Sequence, residues 1–222
     1  FSGFSLVHVP KICPFVFGGQ FINFPLKFLF MRISVSILFC FSVIAFANAQ
    51  DVRKDSVYVR EHYDKIEYQI PMRDGVRLFT VVYLPKDKSL QYPILLNRTC
   101  YNASGYANFN LHGHPSRYLV KDKYILVFQD VRGRYMSEGT FDNMRPNIPG
   151  NDRKNKTAVD ESSDTWDTID WMIKNIRGNK GKVGMYGISY PGFYTAAALP
   201  DAHPALKASS PQAPISDFFF DD

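Results

Sequence analysis

The chain has 222 residues, 45% hydrophobic and 15% aromatic, with Lys+Arg 26 against Asp+Glu 21 and a formal charge of +5. That is one domain's worth of polypeptide with ample apolar material for a core, which excludes a disordered protein. Three cysteines are too few for a disulfide framework, and no pair shows CxxC or Cys/His metal spacing, so neither a metal nor another cofactor is expected.

The charge is unevenly placed. The first 50 residues contain Lys11, Lys27 and Arg32 but no Asp or Glu, leaving 23 basic against 21 acidic groups downstream. Met31-Arg32 opens an apolar run, Ile33 to Phe46, that ends at Ala47-Asn48-Ala49 before Gln50. A short positive start, an apolar centre and an A-x-A site are the three parts of a secretory signal peptide. Residues 1–30 are therefore expected to be upstream read-through with no structural role, 31–49 a signal peptide, and 50–222 the exported part, periplasmic or extracellular. A membrane anchor from Phe21 to Phe46 is the competing reading. Lys27 and Arg32 interrupt it and a cleavage site follows, so no stable span is expected after cleavage.

From Gln50 onward the pattern is α/β. Lys65 to Pro71 alternates, Arg73-Asp74-Gly75 supplies turn chemistry, and Val76 to Leu84 is β-branched and aromatic, which predicts an antiparallel hairpin. Tyr92 to Asn97 reads as a buried strand, Ser116 to Lys121 as a short helix, and Tyr124 to Gln129 as another continuous apolar strand. Apolar runs separated by helices predict strands covered on both faces, hence a mostly parallel sheet. Gly139 to Ser163 is a polar excursion whose Arg153-Lys154-Asn155-Lys156 lacks aromatic interleaving, so it reads as a solvated loop and no nucleic-acid partner is expected. A helix follows, capped by Ser162 or Ser163, with Trp166, Ile169, Ile173 and Ile176 as its packed face and Gly178 after its end.

Lys182 to Leu199 reads strand, tight turn, helix, with Ser189 at the apex. A sharp turn there lifts Oγ clear of the sheet, and the N–H of Tyr190 points where an oxyanion would form at the start of a helix. Pro191 suits the first helical turn, and Gly187 and Gly192 keep side chains from colliding with the neighbouring strand and helix. The spacing G-x-S-x-x-G is one residue longer than the common nucleophile elbow. On spacing alone, a catalytic elbow and an ordinary strand-to-helix turn both remain open.

Gly187-Ile188-Ser189-Tyr190-Pro191-Gly192 resembles the elbow of the family that holds Xaa-Pro dipeptidyl-peptidases, cocaine esterase, glutaryl acylases and α-amino acid ester hydrolases. Met72 to Leu78, Arg98-Thr99-Cys100-Tyr101-Asn102, Asp130 to Gly133 with Ser137-Glu138-Gly139, Asp164 to Trp171, His203 to Lys207 and Phe218 to Asp222 agree in family order. The loop around Arg145-Pro146 is closer to the amino acid ester hydrolase branch. The resemblance implies an incomplete α/β-hydrolase fold, with Ser189 as acyl-forming nucleophile and the Tyr190 N–H and the Tyr101 hydroxyl as oxyanion donors. Without it, Tyr101 also reads as a buried aromatic. Cys100 stands where relatives usually have Pro. Asp221 and Asp222 resemble carboxylates that help bind a substrate's α-ammonium group, and a solvated helix start is their other reading. Asp130, Arg132 and Glu138 are expected to form an internal ion-pair network bracing their loop.

A serine nucleophile needs an imidazole base and a carboxylate, in the chain order Ser, acid, His. After Ser189 the sequence offers only His203, which matches a family position that is not the base; His8, His62, His112 and His114 all precede the serine. The chain is therefore expected to be an N-terminal fragment of an exported serine hydrolase, inactive alone, whose full-length form acts on a small ester, amide or short peptide and is able to homo-oligomerise. A non-catalytic truncated relative or a binding scaffold is the alternative. The sheet edge left open by truncation is expected to promote association of the fragment.

Overall fold

The computed structural model describes residues 56–106, 116–149 and 155–216. The segments expected to be read-through (1–30) and signal peptide (31–49) lie outside these residues, as do Asp221 and Asp222. Among the described residues, no helix is long and apolar enough to cross a membrane.

After a helical stretch at 56–62 (α1) come β1 (Tyr63–Pro71), β2 (Arg77–Pro85), β3 (Tyr92–Thr99), α2 (Ala103–Tyr106), α3 (Ser116–Lys121), β4 (Ile125–Asp130), α4 (Glu161–Asn175), β5 (Asn179–Ile188), α5 (Tyr190–Ala197) and β6 (Leu206–Gln212). The strands form one sheet in the order β1-β2-β4-β3-β5-β6. The predicted hairpin is β1 against β2, antiparallel from Tyr63↔Pro85 to Pro71↔Arg77. Its turn places Gly75 at φ +89°, a conformation that glycine adopts without a Cβ penalty. β2 also pairs antiparallel with β4, whereas β3 with β4, β3 with β5, and β5 with β6 are all parallel.

Strand periodicity sorts side chains to two faces. Leu78, Val82, Ile94, Leu96, Ile125 and Val127 point to the face covered by α4 and α5, where they meet Ile169, Met172 and Tyr194. Phe79, Val81, Tyr83, Leu126 and Phe128 point to the other face, where Val59 of α1 and Val120 of α3 cover them. Each fully buried Leu, Ile or Val contributes about 1.5–3 kcal/mol relative to exposure. The predicted short helix appears as α3 with the expected bounds.

Two expectations for α4 need correction. Its N-cap is Asp160, one residue before the helix, whose side chain accepts from the Ser163 N–H at 2.7 Å while Ser163 Oγ accepts from the Asp160 N–H at 2.8 Å. Ser163 is thus the N3 half of a capping box, which starts the helix earlier than the serines suggest. The packed face is also rotated: Thr165, Thr168, Ile169, Met172 and Ile176 are buried, and Trp166 and Ile173 only half-buried at its margin. Polar residues occupy the buried stripe of the first two turns because charged groups beneath the helix need partners there.

Candidate active site

β5 ends at Ile188, and Ser189 follows with φ +61° and ψ −121°, immediately before α5. A positive φ is costly for a residue with a Cβ and persists only where the surroundings enforce it. Two hydrogen bonds and two close backbone approaches enforce it here. The Ser189 N–H donates to the Gln212 carbonyl of β6 at 3.0 Å, and the Phe193 N–H donates to the Ser189 carbonyl at 3.0 Å. A Cβ at Gly187 would lie 2.0 Å from the Pro191 carbonyl oxygen, and one at Gly192 would lie 2.6 Å from the Gln212 carbonyl oxygen. The two glycines are set by space, as the sequence implied. Ser189 itself is exposed at the sheet's carboxyl edge, beside the positive end of the α5 dipole, an arrangement suited to attack on a carbonyl carbon.

Tyr190 anchors the turn. Its ring is buried; its hydroxyl donates to Asn143 Oδ1 and accepts from the Met144 N–H at 3.2 Å, so the loop after Gly139 is tied to the elbow. Burial raises its phenol pKa above the ordinary value. Tyr101 lies edge-on to it, with ring centroids 6.3 Å apart and an interplanar angle of 83°. Tyr101 is 51% exposed, which removes its reading as a buried aromatic and places it on the open side of the residue that follows Ser189.

Beneath the elbow is a charged core that the sequence did not disclose. Arg98, wholly buried at the end of β3, donates through Nη1 to Glu161 Oε2 at 2.9 Å and Thr165 Oγ1 at 2.9 Å, and through Nε to Gln129 Oε1 at 2.9 Å. Its guanidinium carbon stands 5.9 Å from the ring centre of Tyr194 in α5. Arg132 holds Asp164 through two bonds of 3.0 and 2.7 Å and Asp74 through bonds of 2.7 and 3.2 Å. Burial pushes the Glu161 carboxyl up, against the opposing pull of Arg98. The signal for this core was the acidic start of α4, which also suits the helix dipole and therefore reads as capping alone.

The expected network of Asp130, Arg132 and Glu138 is not formed. Arg132 turns inward to Asp74 and Asp164, and Glu138 pairs with Arg77 at the surface. Asp130 accepts backbone N–H groups instead, from Ala103 at 2.6 Å and Met136 at 3.4 Å. The three groups diverge because β4 ends at Asp130, so Arg132 and Glu138 lie on the loop that follows and are free of the strand's alternation. His203 is buried, accepts from the Ala205 N–H at 3.0 Å through Nδ1, places Nε2 3.6 Å from Asp170 and packs against Trp166. These contacts fit a structural histidine.

A family model for X-Pro dipeptidyl-peptidases (S15 family) matches residues 74–221, from the hairpin turn through the elbow. The chain belongs to this family. The proteins this chain is similar to are of esterase and peptidase type. Cocaine esterase of Rhodococcus sp. (strain MB1 Bresler) is 33% identical over 150 residues, which is 68% of this chain and 23% of that protein. Among solved structures, an alpha-amino acid ester hydrolase is 45% identical with a TM-score of 0.62, over 70% of this chain and 26% of that one. An aminopeptidase from a marine sediment archaeon, Thaumarchaeota archaeon, is 41% identical with the same TM-score and coverage. The chain thus spans about a quarter of the length of these relatives. The mostly parallel sheet with helices on both faces is an α/β-hydrolase-like fold, shared with the S15 family.

Proposed function

We propose that this chain carries the nucleophile of an exported serine hydrolase that cleaves esters or amides of α-amino acyl or dipeptidyl groups through an acyl-enzyme on Ser189. The observation that carries the reading is the enforced φ of +61° at an exposed serine between β5 and α5. In this scheme Ser189 Oγ attacks the substrate carbonyl carbon as its proton passes to an imidazole base. The resulting oxyanion is stabilised by the Tyr190 N–H and the Tyr101 hydroxyl. Collapse expels the alcohol or amine, which takes that proton, and water then hydrolyses the acyl group. His203 is engaged with Asp170 and Ala205, so the imidazole and its carboxylate are assigned to residues other than His203. Asp221 and Asp222 are assigned to the α-ammonium group of the substrate, and the similarity to the ester hydrolase and the aminopeptidase supports that substrate class. Export rests on the pattern from Met31 to Ala49.

The test is covalent labelling of the full-length protein with a fluorophosphonate. Ser189 is expected to carry the label, and Ser189→Ala to abolish both labelling and turnover of a p-nitrophenyl acyl ester. Persistent labelling of Ser189→Ala would remove Ser189 from its role. A polypeptide of residues 50–222 alone is expected to fail to turn over the same ester.

A further inference from the structure

We propose that Arg134 is a positioning residue for the Tyr101 hydroxyl, an inference that rests on the acyl-enzyme reading above. Tyr101 is on the loop after β3, where its ring lies edge-on to Tyr190. Half-exposed phenol side chains in such loops have several rotamers, and an oxyanion donor held loosely gives little stabilisation, because the benefit depends on donors already aimed at the developing charge. Something must fix the backbone that carries it.

Three groups do so. The Tyr101 N–H donates to Thr99 Oγ1 at 3.0 Å, the Ala103 N–H donates to Asp130 at 2.6 Å, and Arg134 Nε donates to the Cys100 carbonyl oxygen at 3.2 Å. The Cys100 carbonyl belongs to the peptide that precedes Tyr101, so its direction sets the plane from which the Tyr101 side chain departs. Arg134 is the one charged donor of the three and acts from a different loop. Its guanidinium stands 5.4 Å from the ring centre of Tyr135 and 5.0 Å from that of Phe141.

The loop that presents Arg134 is rigid in its own right. The Arg134 N–H bonds the Val131 carbonyl at 3.1 Å, the Ser137 N–H bonds the Arg134 carbonyl at 3.0 Å, and the Gly133 N–H bonds the Glu138 carbonyl at 2.9 Å. A Cβ at Gly133 would lie 2.0 Å from the Phe141 nitrogen, and Tyr135 is held at φ +47°. A folded loop with a strained residue, delivering one guanidinium to the carbonyl beside Tyr101, is costly to maintain for packing alone. The clasp also takes over the stiffening that a proline at position 100 would supply in this sequence.

The test is a double-mutant cycle in the full-length protein with a p-nitrophenyl acyl ester. Tyr101→Phe is expected to lower kcat about 100-fold with KM little changed, as for removal of one oxyanion donor. Arg134→Gln, which is shorter and replaces the charged guanidinium donor with a neutral amide, is expected to lower kcat about tenfold with KM and the thermal midpoint little changed. In the Tyr101→Phe background Arg134→Gln is expected to have no further effect, because it acts through the hydroxyl already removed. A tenfold loss that persists in that background, or no loss in the native one, would overturn the positioning role while leaving Ser189 chemistry intact. A neutral Tyr101→Phe overturns it too, and with it the second donor of the acyl-enzyme scheme. Should Arg134→Gln unfold, Arg134→Met, whose side chain has no N–H donor, takes its place in the same cycle, with the same outcomes.

Discussion

Ser189 is held by its own backbone, and Tyr101 by side chains that arrive from other loops. At the elbow, the constraints are contacts between main-chain atoms: glycines where a Cβ would overlap carbonyl oxygens at 2.0 and 2.6 Å, and a serine at φ +61°. Around Tyr101 they are hydrogen bonds between neighbouring peptide groups and the side chains of Thr99 and Asp130, which accept, and Arg134, which donates. Steric constraints between backbone atoms are short-ranged and tolerate nothing. Hydrogen-bonded constraints are shared among several residues, so each can be weakened without losing the fold.

The sharpest way to break this contrast is Gly187→Ala. The new methyl would have to displace the Pro191 carbonyl, a backbone atom that cannot swing away, so a loss above about 4 kcal/mol is expected in urea unfolding. Near-native stability would show that the glycine is not set by space. Next is Arg98→Met, which leaves the buried Glu161 and Asp164 carboxylates without a partner from β3. A loss of about 3–5 kcal/mol is expected by the same measurement, and Glu161→Leu added to it should recover part of that loss. If the single change cost under 1 kcal/mol, the core beneath the elbow would be no support for it.

The smallest effect is on pH dependence. Partial burial pushes the Asp74 carboxyl up, but the hydrogen bonds and charge of Arg132 outweigh this and hold it below its usual 3.8. A carboxyl depressed in the folded state contributes stability that is complete above the unfolded value and is lost as pH falls through the lower folded one. Asp74→Asn should therefore flatten the decline of the thermal midpoint below about pH 4, leaving the slope near neutrality unchanged. An unaltered acid limb would take Asp74 out of the clasp.

The elements that sequence disclosed are those whose cause is local. Alternation gave β1, β-branched and aromatic content gave β2, continuous apolar runs gave β3 and β4, and the glycine spacing around Ser189 gave the turn. The cap of α4 was displaced because Asp160 and Ser163 act as a reciprocal pair, while the serines alone read as caps. Its packed face was misjudged because Thr165 and Thr168 are buried against the polar groups of Arg98 and Gln129, which are distant in sequence. The same holds for Arg134 and Asp130: the groups they serve, at Cys100 and Ala103, are about 30 residues away and leave no periodic trace.

The Gln212 carbonyl has two duties in the elbow, as acceptor for the Ser189 N–H and as the wall against which Gly192 sits. It belongs to β6, which follows the elbow in the chain, so the turn at Ser189 is incomplete until β6 has docked on β5. Successive carbonyls of a strand point to opposite sides, and a slip of one residue would turn that oxygen away from both neighbours. The register of β6 is thus a checkpoint in assembly: a misaligned strand leaves a folded sheet with no properly set elbow, and the hairpin and central strands can form before Ser189 takes its conformation.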